Sequence, residues 1–222
     1  MAGRVFGYAM KRCIDAGVSL VGLFLLALPF VLIALIVKAD SSGPVFFRQE
    51  RVGKDGTRFR VWKFRTMVRG AVRKGLGLNV SDNDPRITRV GRALRHWGLD
   101  ELPQFLNVLT GEMSLVGPRP TLEYQVRHYD GFQRRRLEMK PGITSLAVVS
   151  GRNALSWEER IRFDIRYIDE WSLWLDMRIL LKTLWVVLVT HHGLYGGEGV
   201  NDPFVEAPDL EPARTGDEED GE

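Results

Sequence analysis

Two neighbouring carboxylates, Asp100 and Glu101, stand shortly before Pro103 in the stretch LDELPQ. Proline is tolerated in a helix only within its first turn, so we expect a helix to begin near Asp100, with Asp100 as its N-cap. The N–H groups at a helix start favour a carboxylate and can also receive a phosphate. Adjacent side chains point in different directions. The pair is therefore either a helix cap or a nucleophile whose neighbour orients it or binds a divalent cation.

Arg119 lies between two prolines in the stretch GPRP at 117–120. Pro118 fixes its own φ, and Pro120 restricts the arginine before it, so the guanidinium is presented by stiff backbone. Such a group suits bidentate recognition of a phosphate. A turn with a solvent-exposed arginine is the alternative.

Two further motifs are weaker signals. The stretch Asp82-Asn83-Asp84 is similar to the Asp-x-Asp metal motif of nucleotide-sugar transferases, which would indicate a conventional metal-dependent glycosyltransferase. A loop capped by Asx side chains is the alternative interpretation. His191 and His192 are adjacent, which is a poor arrangement for ligating one metal, and we expect them to be structural.

A basic stretch dominates the first half of the chain: between Arg48 and Arg95 there are fourteen Lys or Arg and four acids. A solvated basic face or a contact with anionic lipid explains most of them. Aromatic residues interleaved with cations would suit single-stranded nucleic acid. Phe59, Trp62 and Phe64 also fit the core of a small hairpin, however, and we expect no nucleic-acid partner.

The composition is that of a globular protein, with 45% hydrophobic and 27% charged residues over 222 positions. The single cysteine, Cys13, excludes an internal disulfide, and no Cys/His cluster has the spacing of a zinc site. Residues 206–222 have a net charge of −7, so residues 1–205 have a net charge of +10. A body this basic is expected to bind an anionic partner: nucleic acid, lipid or a phosphorylated small molecule.

An uncharged apolar segment covers residues 18–37, which is long enough to cross a bilayer as a helix. It is longer than the apolar core of a signal peptide. Pro29, just past its middle, should kink the helix. Both flanks are basic, which satisfies the positive-inside rule if the segment enters the bilayer and returns to the cytoplasmic face. We therefore expect a re-entrant helix broken at Pro29, with a straight span as the alternative.

The remaining pattern indicates an α+β protein that is mostly helical. Residues 44–66 alternate apolar and basic positions around a glycine turn, which predicts a β-hairpin. Helices are predicted over 86–97, 101–110, 121–138, 156–170 and 171–190, the last an interfacial amphipathic helix with three tryptophans. We expect three parts: 1–40 with the re-entrant membrane helix, a cytoplasmic domain at 41–203, and an acidic disordered tail at 204–222.

The order of motifs resembles that of the bacterial sugar transferases called monotopic phosphoglycosyl transferases. The matching blocks cover roughly residues 8–190 and are, in order, GPVFFRQERVG, KFRTM, DPRITRVGRALR, LDELPQFLNVLTGEMSLVGPRP, KPGIT and GRNALSW. This chain is similar to the small form, without an extra N-terminal transmembrane bundle. Two departures are Leu28 before the central proline and the stretch SLAVV at 145–149, which would affect donor specificity if it contacts the donor.

The resemblance implies an enzyme on the cytoplasmic face of the bacterial inner membrane. It would transfer a sugar-1-phosphate from a UDP-sugar to a polyprenyl phosphate such as undecaprenyl phosphate, with release of UMP and a requirement for Mg²⁺. The product would enter glycoconjugate assembly, where downstream glycosyltransferases are possible partners. A non-catalytic, membrane-tethered module that binds anionic lipid or nucleic acid is the alternative.

The resemblance also implies roles for individual residues. Asp100 corresponds to the nucleophile that forms a covalent phosphosugar intermediate, and Glu101 to its partner, with both as candidate ligands of Mg²⁺. The expected substrate-binding residues, which lie in the matching blocks, are Lys63, Arg95, Arg119, Arg152, Asp164 and Asp176.

Overall fold

The computed structural model describes residues 2–71, 84–151 and 154–187. In chain order the elements are α1 (Ala2–Leu25), α2 (Ala27–Asp40), β1 (Phe46–Val52), β2 (Arg58–Phe64), α3 (Arg89–Trp97), α4 (Phe105–Thr110), β3 (Ser114–Val116), α5 (Glu123–Arg127), α6 (Gly131–Arg134), β4 (Gly142–Thr144), α7 (Leu146–Ser150), α8 (Trp157–Glu170) and α9 (Leu173–Trp185). Short 3₁₀ helices cover Lys54–Gly56, Leu99–Gln104 and Arg135–Glu138. A mostly helical fold with a small hairpin is thus confirmed. The predicted tail at 204–222 lies outside the described residues.

The N-terminal apolar segment forms two helices, α1 and α2, that meet at an angle of 61° around Leu26. Pro29 lies in the first turn of α2 and has no N–H to donate to the carbonyl of Leu25, which accounts for a break at this point. Within the described ranges no single helix has the length and apolarity to cross a bilayer, whereas the bent pair has both. The predicted break is therefore present, and insertion into a membrane remains a prediction.

Large apolar side chains of both helices face outward, with Phe24 80% and Leu28 69% exposed. The helix α9 shows the same feature, because Trp174, Leu181 and Trp185 are all more than half exposed. An apolar surface of this extent is unusual for a protein that stays in water. It agrees with the expected contacts of these helices with lipid without demonstrating them.

The predicted hairpin is confirmed. Strands β1 and β2 pair antiparallel, with Phe46 opposite Phe64 and Val52 opposite Arg58. On β2, Phe59 and Val61 are alternate residues that point to the main core, whereas Phe64, on the opposite face, is buried in a second cluster with Val37 and Leu94. The register therefore follows from the alternation of apolar and basic residues in the sequence.

The prediction of one helical stretch over 121–138 is wrong, because α5, α6 and a 3₁₀ turn replace it. Asp130 interrupts the helix: its side chain accepts a hydrogen bond from the backbone N–H of Gln133 and so caps a new helix, α6. Aspartate competes for backbone N–H groups in this way and favours helix starts over helix interiors.

The core lies between the hairpin, α4, β3 and the two C-terminal helices. Its fully buried members include Val108, Met113, Tyr167 and Ile179. A smaller cluster joins α2 to the hairpin and α3 through Val37, Phe64 and Leu94. The bent helix pair is thus packed against the rest of the chain at its C-terminal end.

Helix α3 packs very closely against the segment that follows β2. A Cβ atom added to Gly91 would lie 2.1 Å from the carbonyl oxygen of Thr66, closer than any side chain can approach. The contact continues in the hydrogen bond from the Thr88 N–H to the same oxygen and in the bridge between Met67 and Ile87. A residue without a side chain is therefore required at position 91.

We predict that Gly91→Ala destabilises the protein by about 1–3 kcal/mol, because the added methyl group must push α3 away from Thr66. Thermal unfolding in detergent measures the effect. Gly17→Ala is the matched control, since a Cβ at position 17 of α1 meets no atom within 4 Å among the described residues. Replacing a helical glycine there should be neutral or stabilising. Equal melting temperatures for the two variants would contradict the packing described here.

Candidate active site

The carboxylate pair lies on the 3₁₀ helix Leu99–Gln104, which continues into α4. The expected N-cap role of Asp100 is wrong: the residue before the helix is Gly98, and no side chain caps it. Gly98 has φ 67°, a left-handed conformation that glycine adopts readily, and it both ends α3 and begins the next turn. The carboxylate of Asp100 is therefore not needed to start the helix.

Glu101 is held by two cations from different parts of the chain. Lys63 Nζ of β2 and Arg119 Nη2 of the GPRP turn both donate to Oε1 of Glu101, at 2.7 Å and 2.8 Å. Although burial alone would raise the pKa of Glu101, these two cations bring it well below its usual value. Glu101 therefore stays ionised and ties three segments together.

Asp100 differs from its neighbour. Across the described ranges its carboxylate makes no hydrogen bond and no ion pair. Burial raises the pKa of Asp100 to about 6, with a further contribution from the charge of Glu101 and opposition from Lys63, Arg95 and Arg119. An unpaired carboxylate with a raised pKa is a better nucleophile than an exposed one, and it is still mostly ionised at neutral pH.

Arg95 approaches the pair from α3. The Nε of Arg95 donates to the hydroxyl of Thr66 at 2.8 Å. The two terminal guanidinium nitrogens, Nη1 and Nη2, have no partner in the described part of the chain. The close contact of Gly91 with Thr66 holds this arginine beside the dyad. Sequence reasoning did not single out Thr66, which lies in the matching block KFRTM.

The structure thus brings Lys63, Arg95 and Arg119 around the carboxylate pair, and their contact with a substrate stays a prediction. Arg152 lies outside the described residues, as do Asp82, His191 and His192. Three cations around two carboxylates leave a net positive charge at the surface of the site. Such a site can accept the charge of a diphosphate and can stabilise the charge that develops on its oxygens during attack.

Asp164 and Asp176, two of the expected substrate-binding residues, both make buried ion pairs within the protein. Asp164 Oδ2 accepts from Arg136 Nη2 at 2.6 Å. Burial raises the pKa of Asp164 to about 6, against the effect of Arg136. Asp176 accepts from Lys11 and from the Tyr167 hydroxyl, each at 2.6 Å. Contact of either aspartate with a substrate stays a prediction.

Arg136 was missed by the sequence analysis. It joins Asp164 to the site because it also donates to the carbonyl oxygen of Arg119, at 3.3 Å, and to the Tyr129 hydroxyl, at 2.8 Å. It lies third in a run of three arginines, Arg134 to Arg136, and only its burial distinguishes it from the other two. No pattern in the sequence predicts which member of the run is buried.

The Asp-x-Asp alternative has no support from the structure. Asp84 is almost fully buried and is bound by Nε and Nη2 of Arg86. Hydrogen bonds from Arg86 lower the pKa of Asp84. Because both oxygens are engaged by that guanidinium, Asp84 is poorly placed to ligate a metal.

The dyad fits a Mg²⁺ ion only as part of a larger ligand set. No group of three metal-ligating side chains occurs in the described segments. Asp100 offers two carboxylate oxygens, and Oε2 of Glu101 has no partner among the described residues, since both cations bind Oε1. Mg²⁺ is commonly bound by one or two carboxylates together with water and substrate phosphates. The residues present therefore fit the ion in combination with a bound phosphate.

Comparison with known proteins gives consistent matches. A family model described as bacterial sugar transferase matches residues 6–190. The "Uncharacterized sugar transferase EpsL" of Bacillus subtilis is 44% identical over 184 residues, covering 82% of this chain and 88% of that protein. The "UDP-glucose:undecaprenyl-phosphate glucose-1-phosphate transferase" of Escherichia coli is 42% identical over 184 residues, covering 79% of this chain and 39% of that protein.

A further relative is the "Undecaprenyl-phosphate galactose phosphotransferase" of Salmonella typhimurium. It is 39% identical over 193 residues, covering 81% of this chain and 40% of that protein. The chain spans about two fifths of the length of these last two relatives. The range matched by the family model, 6–190, contains the dyad and the three cations around it.

Proposed function

The chain belongs to the bacterial sugar transferase family, and from this we propose that it transfers a sugar-1-phosphate from a UDP-sugar to polyprenyl phosphate. The names of two relatives, one a glucose-1-phosphate transferase and one a galactose phosphotransferase acting with undecaprenyl phosphate, support this reaction class. The product would begin the assembly of a bacterial glycoconjugate and would pass to downstream glycosyltransferases. The two names differ in the sugar, so we propose a hexose-1-phosphate without choosing between them.

The observation that carries the proposal is the unpaired carboxylate of Asp100 beside three cations. In the first step an oxygen of Asp100 attacks the phosphorus next to the sugar. A bond forms between that oxygen and phosphorus, and the bond from phosphorus to the bridging oxygen breaks. UMP leaves with the bridging oxygen and its electron pair. Lys63, Arg95 and Arg119 offset the repulsion between the carboxylate and the diphosphate.

In the second step an oxygen of the polyprenyl phosphate attacks the same phosphorus. The bond to Asp100 breaks, which restores the carboxylate and gives a polyprenyl diphosphate sugar. Glu101 takes no part in bond making in this scheme. It holds Lys63 and Arg119 at fixed distances, which positions both cations before the donor binds.

We propose Mg²⁺ as the cofactor, held by Asp100 and Glu101 together with the phosphates of the donor. When bound, the ion would neutralise phosphate charge and so favour attack by an anion. This proposal rests on the free oxygens of the dyad and on the resemblance of the sequence to its family.

We propose that the bent helix pair is re-entrant and that the catalytic part lies on the cytoplasmic face of the inner membrane. Residues on both sides of the apolar segment contact the same body. Lys11, before it, pairs with Asp176 of α9. Ser41 and Ser42, after it, accept hydrogen bonds from Arg65 at the end of the hairpin. A spanning helix would place these two sets of contacts on opposite sides of the bilayer.

The products of the reaction test the proposed function directly. Purified enzyme with UDP-glucose or UDP-galactose and undecaprenyl phosphate should release UMP, and chelation of Mg²⁺ should abolish the release. Asp100→Asn should lower turnover by orders of magnitude, because an amide cannot replace the attacking carboxylate. The fold should persist, since Asp100 caps no helix.

Other products would point to other functions. Release of UDP in place of UMP would indicate a conventional glycosyltransferase. Absence of any nucleotide product with every UDP-sugar tested would favour a non-catalytic lipid-binding module. Near-normal turnover by Asp100→Asn would remove this residue from the role of nucleophile.

A further prediction concerns pH. Burial raises the pKa of Asp100 to about 6, and only the ionised form attacks, so kcat/KM for the UDP-sugar should fall below about pH 6. The limiting slope is about tenfold per pH unit. Burial raises the pKa of Asp164 to a similar value, so Asp164→Asn is the control. In this variant kcat/KM should still fall below about pH 6. A wild-type profile that is flat down to pH 5 would contradict the assignment.

Another prediction concerns topology, for which the exposed Cys13 of α1 is a natural probe. In intact spheroplasts a membrane-impermeant maleimide should leave Cys13 unlabelled, and permeabilisation should allow labelling. A cysteine placed at the exposed Lys54 of the hairpin turn in a Cys13→Ser background should behave identically. Labelling of Cys13 from outside would show a spanning helix. Pro29→Leu should shift part of the population toward that state, because it restores the missing N–H donor.

A further inference from the structure

The helix α1 has a polar stripe that continues into its apolar part. Lys11, Asp15 and Ser19 follow one another at intervals of four residues and therefore share one face. Only 7%, 5% and 0% of their surfaces are exposed. Buried charged groups need partners, and those partners identify what the stripe contacts.

The partners of Asp15 lie on β3. Asp15 Oδ1 accepts from the backbone N–H of Leu115 at 3.1 Å, and Oδ2 accepts from the Ser114 hydroxyl at 2.8 Å. Lys11 Nζ donates to the carbonyl oxygen of Val116 at 3.0 Å and to Asp176 at 2.6 Å. Side chains of α1 thus contact every residue of this three-residue strand.

In the described part of the chain β3 has a strand, β4, on one side only, and Asp15 contacts the Leu115 N–H on the other side. The N–H groups of Ser114 and Gly117 donate to the carbonyl oxygens of Pro141 and Thr144 on the β4 side, whereas the Leu115 N–H points away from β4, to Asp15. Two strands of three residues have little stability by themselves. A buried N–H at Leu115 without an acceptor would lower the stability of this small sheet further. Asp15 occupies the position that a third strand would have in a larger sheet.

A short, stiff segment connects β3 to the residue that contacts the dyad. Val116 is followed by Gly117, Pro118 and Arg119, and Arg119 contacts Glu101. The prolines on either side of Arg119 limit how far this segment can bend. A shift of the strand is therefore passed on to the guanidinium and is not absorbed by a flexible loop.

We propose that Lys11 and Asp15 are positioning residues of the active site: through β3 they set the place of Arg119 beside Glu101. The N-terminal helix is then a structural support of the site as well as an anchor. The catalytic consequence rests on the proposed function, whereas the contact with β3 does not. Neither residue touches the dyad, so both act through Arg119.

Hydrogen exchange tests the contact independently of activity. In detergent, where membrane insertion is not limiting, Asp15→Leu should accelerate exchange of the Leu115 amide by about tenfold or more, because its acceptor is lost. Asp15→Asn should keep the protection, since the amide oxygen can accept the same hydrogen bond. Cys13→Leu is the matched control on an exposed position of α1 and should leave exchange unchanged. Unchanged exchange in Asp15→Leu would overturn the proposal.

A double-mutant cycle tests the catalytic consequence. Asp15→Leu should lower kcat/KM by about 100-fold in the wild-type background, as expected for a misplaced catalytic group. In an Arg119→Ala background the same change should lower it less than about threefold, because the group being positioned is already gone. Asp15→Asn should restore most of the activity. Equal losses of kcat/KM in the two backgrounds would show that Asp15 supports only the fold and does not position Arg119, which would overturn the proposal.

Ser114→Ala provides a second route if Asp15→Leu does not fold. It removes one hydrogen bond of Asp15 from the strand side and leaves the helix untouched. Its loss of kcat/KM should be smaller than that of Asp15→Leu and should again vanish in the Arg119→Ala background. Should the wild-type protein release no UMP from any UDP-sugar, the proposed function is wrong, and the exchange of Leu115 still decides whether α1 supports β3.

Discussion

One oxygen of Glu101 is shared by Lys63 and Arg119, which come from the hairpin and from the turn after β3. This arrangement fixes the charge of the site. Because both cations bind Glu101, neither forms an ion pair with Asp100, and burial can raise the pKa of that carboxylate. Without Glu101 the two cations would be free to pair with Asp100, which would lower its pKa and its nucleophilicity. The two carboxylates therefore differ in their contacts: Glu101 binds the cations, and Asp100 stays unpaired among the described residues.

The elements that support this ion pair also join the site to the N-terminal helices. Arg12 of α1 donates to the carbonyls of Val108 and Leu109 at the end of α4, the helix that continues from the dyad. Arg65 at the end of the hairpin donates to the carbonyl of Val37 in the last turn of α2 and to that of Ser41 directly after the helix. Cations at helix C-termini satisfy carbonyls that lack partners within the helix. The site therefore lies next to the bent helix pair. If that pair is the membrane anchor proposed above, a soluble donor would meet there a lipid acceptor whose phosphate stays in the headgroup layer.

Local sequence patterns predicted much of the fold. The hairpin followed from alternation, the break in the apolar segment from Pro29, and α8 from the pattern of residues after Ser156. The dyad and the nearby cations were predicted from motif order. The partners were not predictable: nothing in the sequence shows that Lys11 pairs with Asp176, 165 residues away, or that Arg136 is the buried member of its run. Such pairings depend on tertiary packing. The same limit applies to Asp164 and Asp176, whose ion pairs with Arg136 and Lys11 no sequence pattern indicates.

In the proposed mechanism Asp100 forms a covalent bond to the transferred phosphosugar. The direct test is mass spectrometry of the wild-type protein incubated with UDP-sugar and Mg²⁺ in the absence of polyprenyl phosphate, followed by rapid acid quenching and peptide mapping. With Asp100 as nucleophile, a mass increase equal to one hexose phosphate should appear on the peptide that contains Asp100. It should be absent in Asp100→Asn and should be lost when polyprenyl phosphate is added. An adduct on another residue, or UMP release dependent on lipid with no adduct at any time, would contradict this mechanism.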